Sequence, residues 1–173
     1  TIAARLHSTY YTGKADFEQS SPWYQVYADY CKANNIADPA LYVMNAPATR
    51  AQFAQILANA MPDEAWKSIN KVADDAIPDV KMADSFSAAV YKLYRAGVLV
   101  GNNAKGTFAP ARNIRRSEVA AIATRMAVPS LRQSITLGVY EDEPYIPPYN
   151  PPTPSDTYYT VTFDSNGGSA VES

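Results

Sequence analysis

Apolar residues recur at helical spacing four times in the first three quarters of the chain. Tyr24, Tyr27, Ala28 and Cys31 lie at relative positions 0, 3, 4 and 7, and Phe86, Ala89, Val90 and Leu93 repeat that spacing. Each set makes one apolar helical stripe. Both stripes stop at a residue that tolerates a left-handed helix end, Asn35 or Gly97, followed by aliphatic Ile36 or Val98. After a loop, Phe53, Ile56, Leu57 and Ala60 show the same spacing, as do Val119, Ile122, Ala123 and Met126. The first helices are offset by 62 residues and the second by 66, so the later copy has a loop four residues longer. Ile2, Ala3 and Leu6 fit the end of one more second helix. With no capping residue ahead of them, they predict that an upstream segment has been removed.

The pattern therefore predicts an all-α chain of helix–loop–helix units. Residues 1–12 close a partial first unit, and 17–62 and 77–127 form two full ones. So small a unit cannot bury its own apolar faces, and neighbours must share a core. Between the copies, Ala65, Trp66, Ile69 and Val72 predict a short helical connector over 63–76, ended by Asp74-Asp75 and Ile77-Pro78.

Beyond residue 127 the material changes. Six of the thirteen prolines fall between Pro144 and Pro154, where fixed φ and missing N–H groups prevent helix and central-strand pairing. Residues 128–157 read as a Pro-rich acidic linker, extended and semi-rigid over 140–157. From Tyr158 to Ser173 the period drops to two, with Tyr159, Val161 and Phe163 alternating with polar residues before Asn166-Gly167-Gly168. That predicts a strand and the opening of a hairpin. Charge divides at the same place. Residues 1–127 carry 14 basic and 11 acidic groups, a balance of +3, and residues 128–173 carry one basic and six acidic groups, a balance of −5.

Composition narrows the chemistry. One His and one Cys cannot build a four-ligand structural zinc site or an internal disulfide. Cys31 lies in an apolar stripe and is expected to be buried. No apolar run approaches the roughly 20 residues that span a bilayer. Asp74-Asp75 and Glu141-Asp142-Glu143 lack the spacing of a calcium loop. Gly101 and Gly106 have phosphate-loop spacing, but Thr107-Phe108 replaces Lys and Ser/Thr, which argues against a nucleotide. Neither a cofactor nor a metal nor nucleic acid is called for, and no pair of residues reads as catalytic. The two glycines predict a tight turn that brings Lys105, Thr107 and Phe108 to a groove.

Arg50 and Arg116 occupy the first turns of their helices, where the dipole disfavours a cation by roughly 0.3–1 kcal/mol. Helix stability does not explain them. An arginine beside unpaired backbone amides could take a carboxylate in bidentate fashion. It could equally pair with an acid such as Asp79 or Asp29, or stand solvated. Thr49 and Gln52 fit a capping box; Glu118 is placed to cap similarly, but Arg115 cannot accept a bond as an N-cap, so the later helix start is weaker or is capped by Asn113 from a shifted boundary. Trp23 and Trp66 could each stack on a sugar or belong to the core.

The wording of the later copy is specific: Ile77-Pro78-Asp79-Val80, Ala89-Val90, Leu93, Gly97-Val98, Gly101, Gly106-Thr107-Phe108-x-Pro110 and Ile114-Arg115-Arg116-Ser117-Glu118. The earlier copy supplies Trp23 and Ala48-Thr49-Arg50-Ala51-Gln52-Phe53. These motifs resemble the S-layer homology (SLH) domain over residues 1–127. Departures stand at Gln52, Ser85, Arg115 and Ser117, and Leu41-Tyr42-Val43 replaces the Gly-Thr-Phe loop in the earlier copy. YTVTFDSNGG in the tail resembles the first strand of the small β-grasp repeats of bacterial surface adhesins.

The resemblance implies a three-unit assembly with grooves between units, holding an exported protein on a Gram-positive-type cell wall by binding pyruvylated secondary cell-wall polysaccharide. It implies ligand contacts from Arg50, Arg116, Trp23, Asp79, Lys105, Gly106 and Thr107, and no enzyme activity. The competing reading is a helical protein–protein or self-assembly module that has lost glycan binding. The open face of the partial first unit also offers a route to a dimer or to helix exchange between chains.

Overall fold

The computed structural model describes residues 1–138; the expectations for the Pro-rich stretch and for the strand at 158–173 fall outside the described residues. Five helices dominate: α1 (Ile2–Thr12), α2 (Gln25–Ala33), α3 (Arg50–Ala58), α4 (Ser87–Arg95) and α5 (Arg116–Ala127). The only strands among the described residues are β1 (Lys71–Val72) and β2 (Thr136–Leu137), paired in parallel. The chain is mostly helical, in line with the all-α expectation.

Helix ends follow the chemistry read from the sequence. Asn35 (φ 55°) and Gly97 (φ 73°) both turn left-handed. The next amide then bonds back into the helix, Ile36 N to Cys31 O at 2.8 Å and Val98 N to Leu93 O at 2.9 Å. At Gly97 a side chain is excluded on two counts, because a Cβ would also lie 2.7 Å from the Gln133 carbonyl oxygen. The start of α3 carries the expected capping box, with Thr49 Oγ1 accepting from Gln52 N and Gln52 Oε1 accepting from Thr49 N.

Packing is strongest between α3 and α4, and α1 packs on α2. Leu57, Val90, Tyr91, Leu93, Tyr94, Val98 and Phe108 are buried to within 1% of complete exclusion from solvent. Burying each of the larger of these contributes about 2–3 kcal/mol before entropy is counted. Cys31 is buried, and burial raises its thiol pKa. In the first full segment the stripe is less covered, and α5 buries only Ile122 and Met126.

Two expectations are corrected. The connector is not a helix: a 3-10 turn at Asp63–Trp66 gives way to β1, and Ile69 is half exposed. Ile69 N and Asn70 N both donate to Arg95 O, at 2.8 and 2.9 Å, so the segment is tied across the end of α4 instead of continuing its own turns. Nor does residue 128 begin a free linker. Residues 129–138 return as a 3-10 turn (Pro129–Leu131) and β2, forming a strap over the end of α4. Buried Asn70 fixes it: Nδ2 donates to Tyr94 O and Gln133 O, both at 2.9 Å, and Oδ1 accepts from Ile135 N at 2.9 Å. The shift from basic to acidic composition after Ala127 concealed this, because the strap is held by backbone groups and by an amide 65 residues away.

Asn70→Ala removes all three bonds, although Tyr94 O keeps the bond from Gly97 N and Gln133 is open to solvent. The expected loss is about 2 kcal/mol. Faster amide exchange at Ile135, with α3 and α4 unchanged, is the local signature; unchanged exchange there would contradict the assigned role.

Candidate functional site

The loop between α4 and α5 is a built structure. Gly101 (φ 82°) and Gly106 (φ 75°) are left-handed, and a Cβ on Gly101 would meet Gly106 backbone atoms at 2.6 Å. Only glycine allows the two strands of the turn to touch. Asn103 Oδ1 accepts from Lys105 N and Thr107 N, and Asn103 Nδ2 donates to Thr107 Oγ1. Tyr94 Oη donates to Gly106 O at 3.0 Å, and burial raises the pKa of that phenol.

Phe108 is gripped on both sides of its backbone. Asp79 accepts from Phe108 N at 2.8 Å and from Ala109 N at 2.6 Å, one carboxylate oxygen to each. Arg50 Nε donates to Phe108 O at 2.6 Å, and the guanidinium lies 4.8 Å from the Phe108 ring centre. The ring itself is 1% exposed.

Arg50 is thus turned inward, 4% exposed, with NH1 donating to Glu118 Oε1 at 2.7 Å. The ion pair allowed by the sequence exists, but its partner is Glu118 of the following helix and not Asp79 or Asp29. Unpaired amides beside Arg50 are not found: Arg50 N donates to Arg112 O and Ala51 N to Pro110 O, so the later loop caps α3. Burial pulls the Arg50 guanidinium below the usual arginine range, with Glu118 opposing that shift. Desolvation pushes Glu118 upward, but bonds from Arg112 and Arg115 N and the nearby guanidinium charges outweigh it and hold its carboxyl low.

The start of α5 contrasts with that of α3. Glu118 Oε2 accepts from Arg115 N, the role for which Glu118 is placed, and the helix begins at Arg116 with no shift of its start to Asn113. Among the described residues the amides of Arg116 and Ser117 have no partner, and the Arg116 side chain is exposed without one. A cleft of about 160 Å³ lies along the Glu118–Arg125 face of α5, lined also by Arg50 and Asn102.

Of the residues singled out in the sequence, Arg50, Asp79, Gly106 and Thr107 gather at the Phe108 loop, with Lys105 exposed on its outer side. Arg116 begins the helix that carries Glu118. Trp23 lies elsewhere, 61% exposed on the wall of an apolar pocket of about 690 Å³ with Tyr24, Tyr42, Val43 and Phe53. Trp66, in contrast, is core, its indole N–H donating to Ala58 O and Met61 O. Sequence reasoning missed Arg112, which bonds Glu118, and Asn103, which shapes the turn. For Asn103 the signal was present, an Asx residue between two left-handed glycines.

No curated protein and no solved structure matches the chain. Among protein families, the S-layer homology domain matches residues 76–120. That stretch contains Asp79, α4, the loop around Phe108 and the first turn of α5. Asp79, the glycine turn and the exposed helix start therefore all lie in the stretch that is similar to the S-layer homology domain, a domain of cell-wall attachment, while Arg50 reaches into it from outside.

Proposed function

We propose that the protein holds an exported polypeptide non-covalently on a bacterial cell wall of Gram-positive type by binding pyruvylated secondary cell-wall polysaccharide, and that the carboxylate of the polymer is received at the start of α5. The observation that carries this reading is the contrast between two helix starts. At α3 the amides and the arginine are consumed inside the protein; at α5 the Arg116 side chain and two amides face outward unused. A planar guanidinium beside free amides suits a carboxylate. Lys105 and Thr107 offer further contacts from the neighbouring loop. Arg50, Asp79 and Gly106 act by fixing that loop, and Trp23 offers a ring face to a sugar in the earlier segment. The two helix–loop–helix segments with the partial one before them are read as successive SLH units.

A second reading, a protein–protein or self-assembly module, draws on the earlier segment. There Leu41 and Val43 are 75% and 80% exposed, where the later loop buries Phe108. Dimerisation or helix exchange belongs to that reading.

Sedimentation with walls before and after extraction of their secondary polymer separates the two. Loss of binding on extraction is expected, and equal binding to both preparations would favour the second reading. Arg116→Ala is expected to weaken wall affinity about tenfold, the worth of one charge-assisted contact. Unchanged affinity with retained folding would remove Arg116 from the site.

A further inference from the structure

We infer that the cleft between the end of α2 and the outer face of α3 is a separate subsite for uncharged sugar units. It measures about 670 Å³, within the range of roughly 300–1,000 Å³ typical of ligand clefts, and is bordered by Lys32, Asn35, Tyr42, Gln52, Gln55 and Asn59. Gln52, Gln55 and Asn59 stand at relative positions 0, 3 and 7, on one face of α3.

Two of these carboxamides are held by half of their bonding capacity and present the other half. Gln52 Oε1 accepts from Thr49 N, leaving its NH2 group. Asn59 Nδ2 donates to Ile36 O, leaving its oxygen. Gln55, between them, has no committed bond among the described residues. The result is a row of donors and acceptors with no net charge, two of them oriented in advance. Vicinal hydroxyls of a sugar, each both donor and acceptor, match such a row. Tyr42, half-buried at the edge, supplies a ring face for stacking. Lys32, the one cation bordering the cleft, faces Asp38 at 4.0 Å.

The comparison with the later segment sharpens the assignment. The same three positions on α5 are Glu118, Ala121 and Arg125, and the cleft they border is charged, small and crossed by the Arg50–Glu118 pair. Two clefts in like positions thus differ in chemistry, one small and crossed by an internal ion pair, the other wider and bordered by uncharged carboxamides fit for a neutral polyol.

The source of the sugar rests on the wall-polymer reading above, and the test keeps the two apart. The ¹H–¹⁵N signals of the side-chain NH2 groups of Gln52, Gln55 and Asn59 are followed in the full chain. The probes are intact secondary wall polysaccharide and the same material after mild acid has removed its ketal-linked acidic groups. Both polymers are expected to shift these signals, and Gln55→Leu to weaken binding of both about tenfold. Arg116→Ala should weaken the intact polymer alone. Unmoved carboxamide signals with both polymers, or Gln55→Leu binding the stripped polymer like the parent, would overturn the subsite. Arg116→Ala without effect, alongside the expected Gln55→Leu loss, would overturn the carboxylate reading and leave the subsite standing.

Discussion

Arg50→Ala is expected to lower the stability of the protein by about 3 kcal/mol, read as a shift in the midpoint of urea unfolding. The side chain is 4% exposed and fills space over the Phe108 ring while bonding Phe108 O and Glu118. Truncation leaves a void against Phe53, Leu93 and Ile122, which border the same interior gap. Glu118 is less affected, because Arg112 and Arg115 N remain on it. Glu118→Gln should consequently cost about 1 kcal/mol or less, since its outer bonds are partly solvated. Arg50→Lys should recover little of the loss, because an ammonium cannot serve the Phe108 carbonyl and Glu118 in the fixed fork of a guanidinium. An unchanged midpoint in Arg50→Ala would show that the pair contributes nothing to the junction of α3 with the later loop.

Asp79→Asn is the sharper test of the loop itself. The carboxylate accepts one amide on each oxygen, and an asparagine can accept only one while turning an NH2 toward the other donor. The expected cost is about 2 kcal/mol. Ala109 makes the effect local: it sits left-handed at φ 58°, unusual for a residue with a Cβ, and the bond to Asp79 helps hold it there. Amide exchange at Phe108 and Ala109 should quicken by more than exchange in α4, and wall binding should weaken as Lys105 and Thr107 lose their fixed positions. Parent-like protection at Ala109 would mean that the glycine turn stands without the carboxylate.

Much of this arrangement was legible in the sequence, because it depends on local chemistry. The apolar stripes placed the later helices of each segment, Asn35 and Gly97 marked two ends, Thr49 and Gln52 marked a start, and the pair of glycines marked the turn. Partners were not legible. Arg50 and Glu118 are 68 residues apart, and nothing in their spacing distinguishes that pair from one with Asp79 or Asp29. Periodicity also misjudged segments whose shape is set by distant backbone groups. Ala65, Trp66, Ile69 and Val72 have helical spacing, yet Arg95 O and Asn70 draw them into a turn and a strand. Trp23 and Trp66 show the same limit, since one indole finds two buried carbonyls and the other finds solvent.

The strap governs how force would enter the domain. Residues beyond Gly138 are joined to it through β2 and the Asn70 bonds, at the connector and the end of α4, and Leu137 abuts Gly106, where a Cβ would lie 2.6 Å from its side chain. Tension on the tail is therefore borne first by the two-residue ladder, the Asn70 bonds and the bond from Gln133 N to Gly97 O. A load that peeled β2 would draw Leu137 away from Gly106, so the strap couples tension on the tail to the loop that carries Lys105 and Thr107.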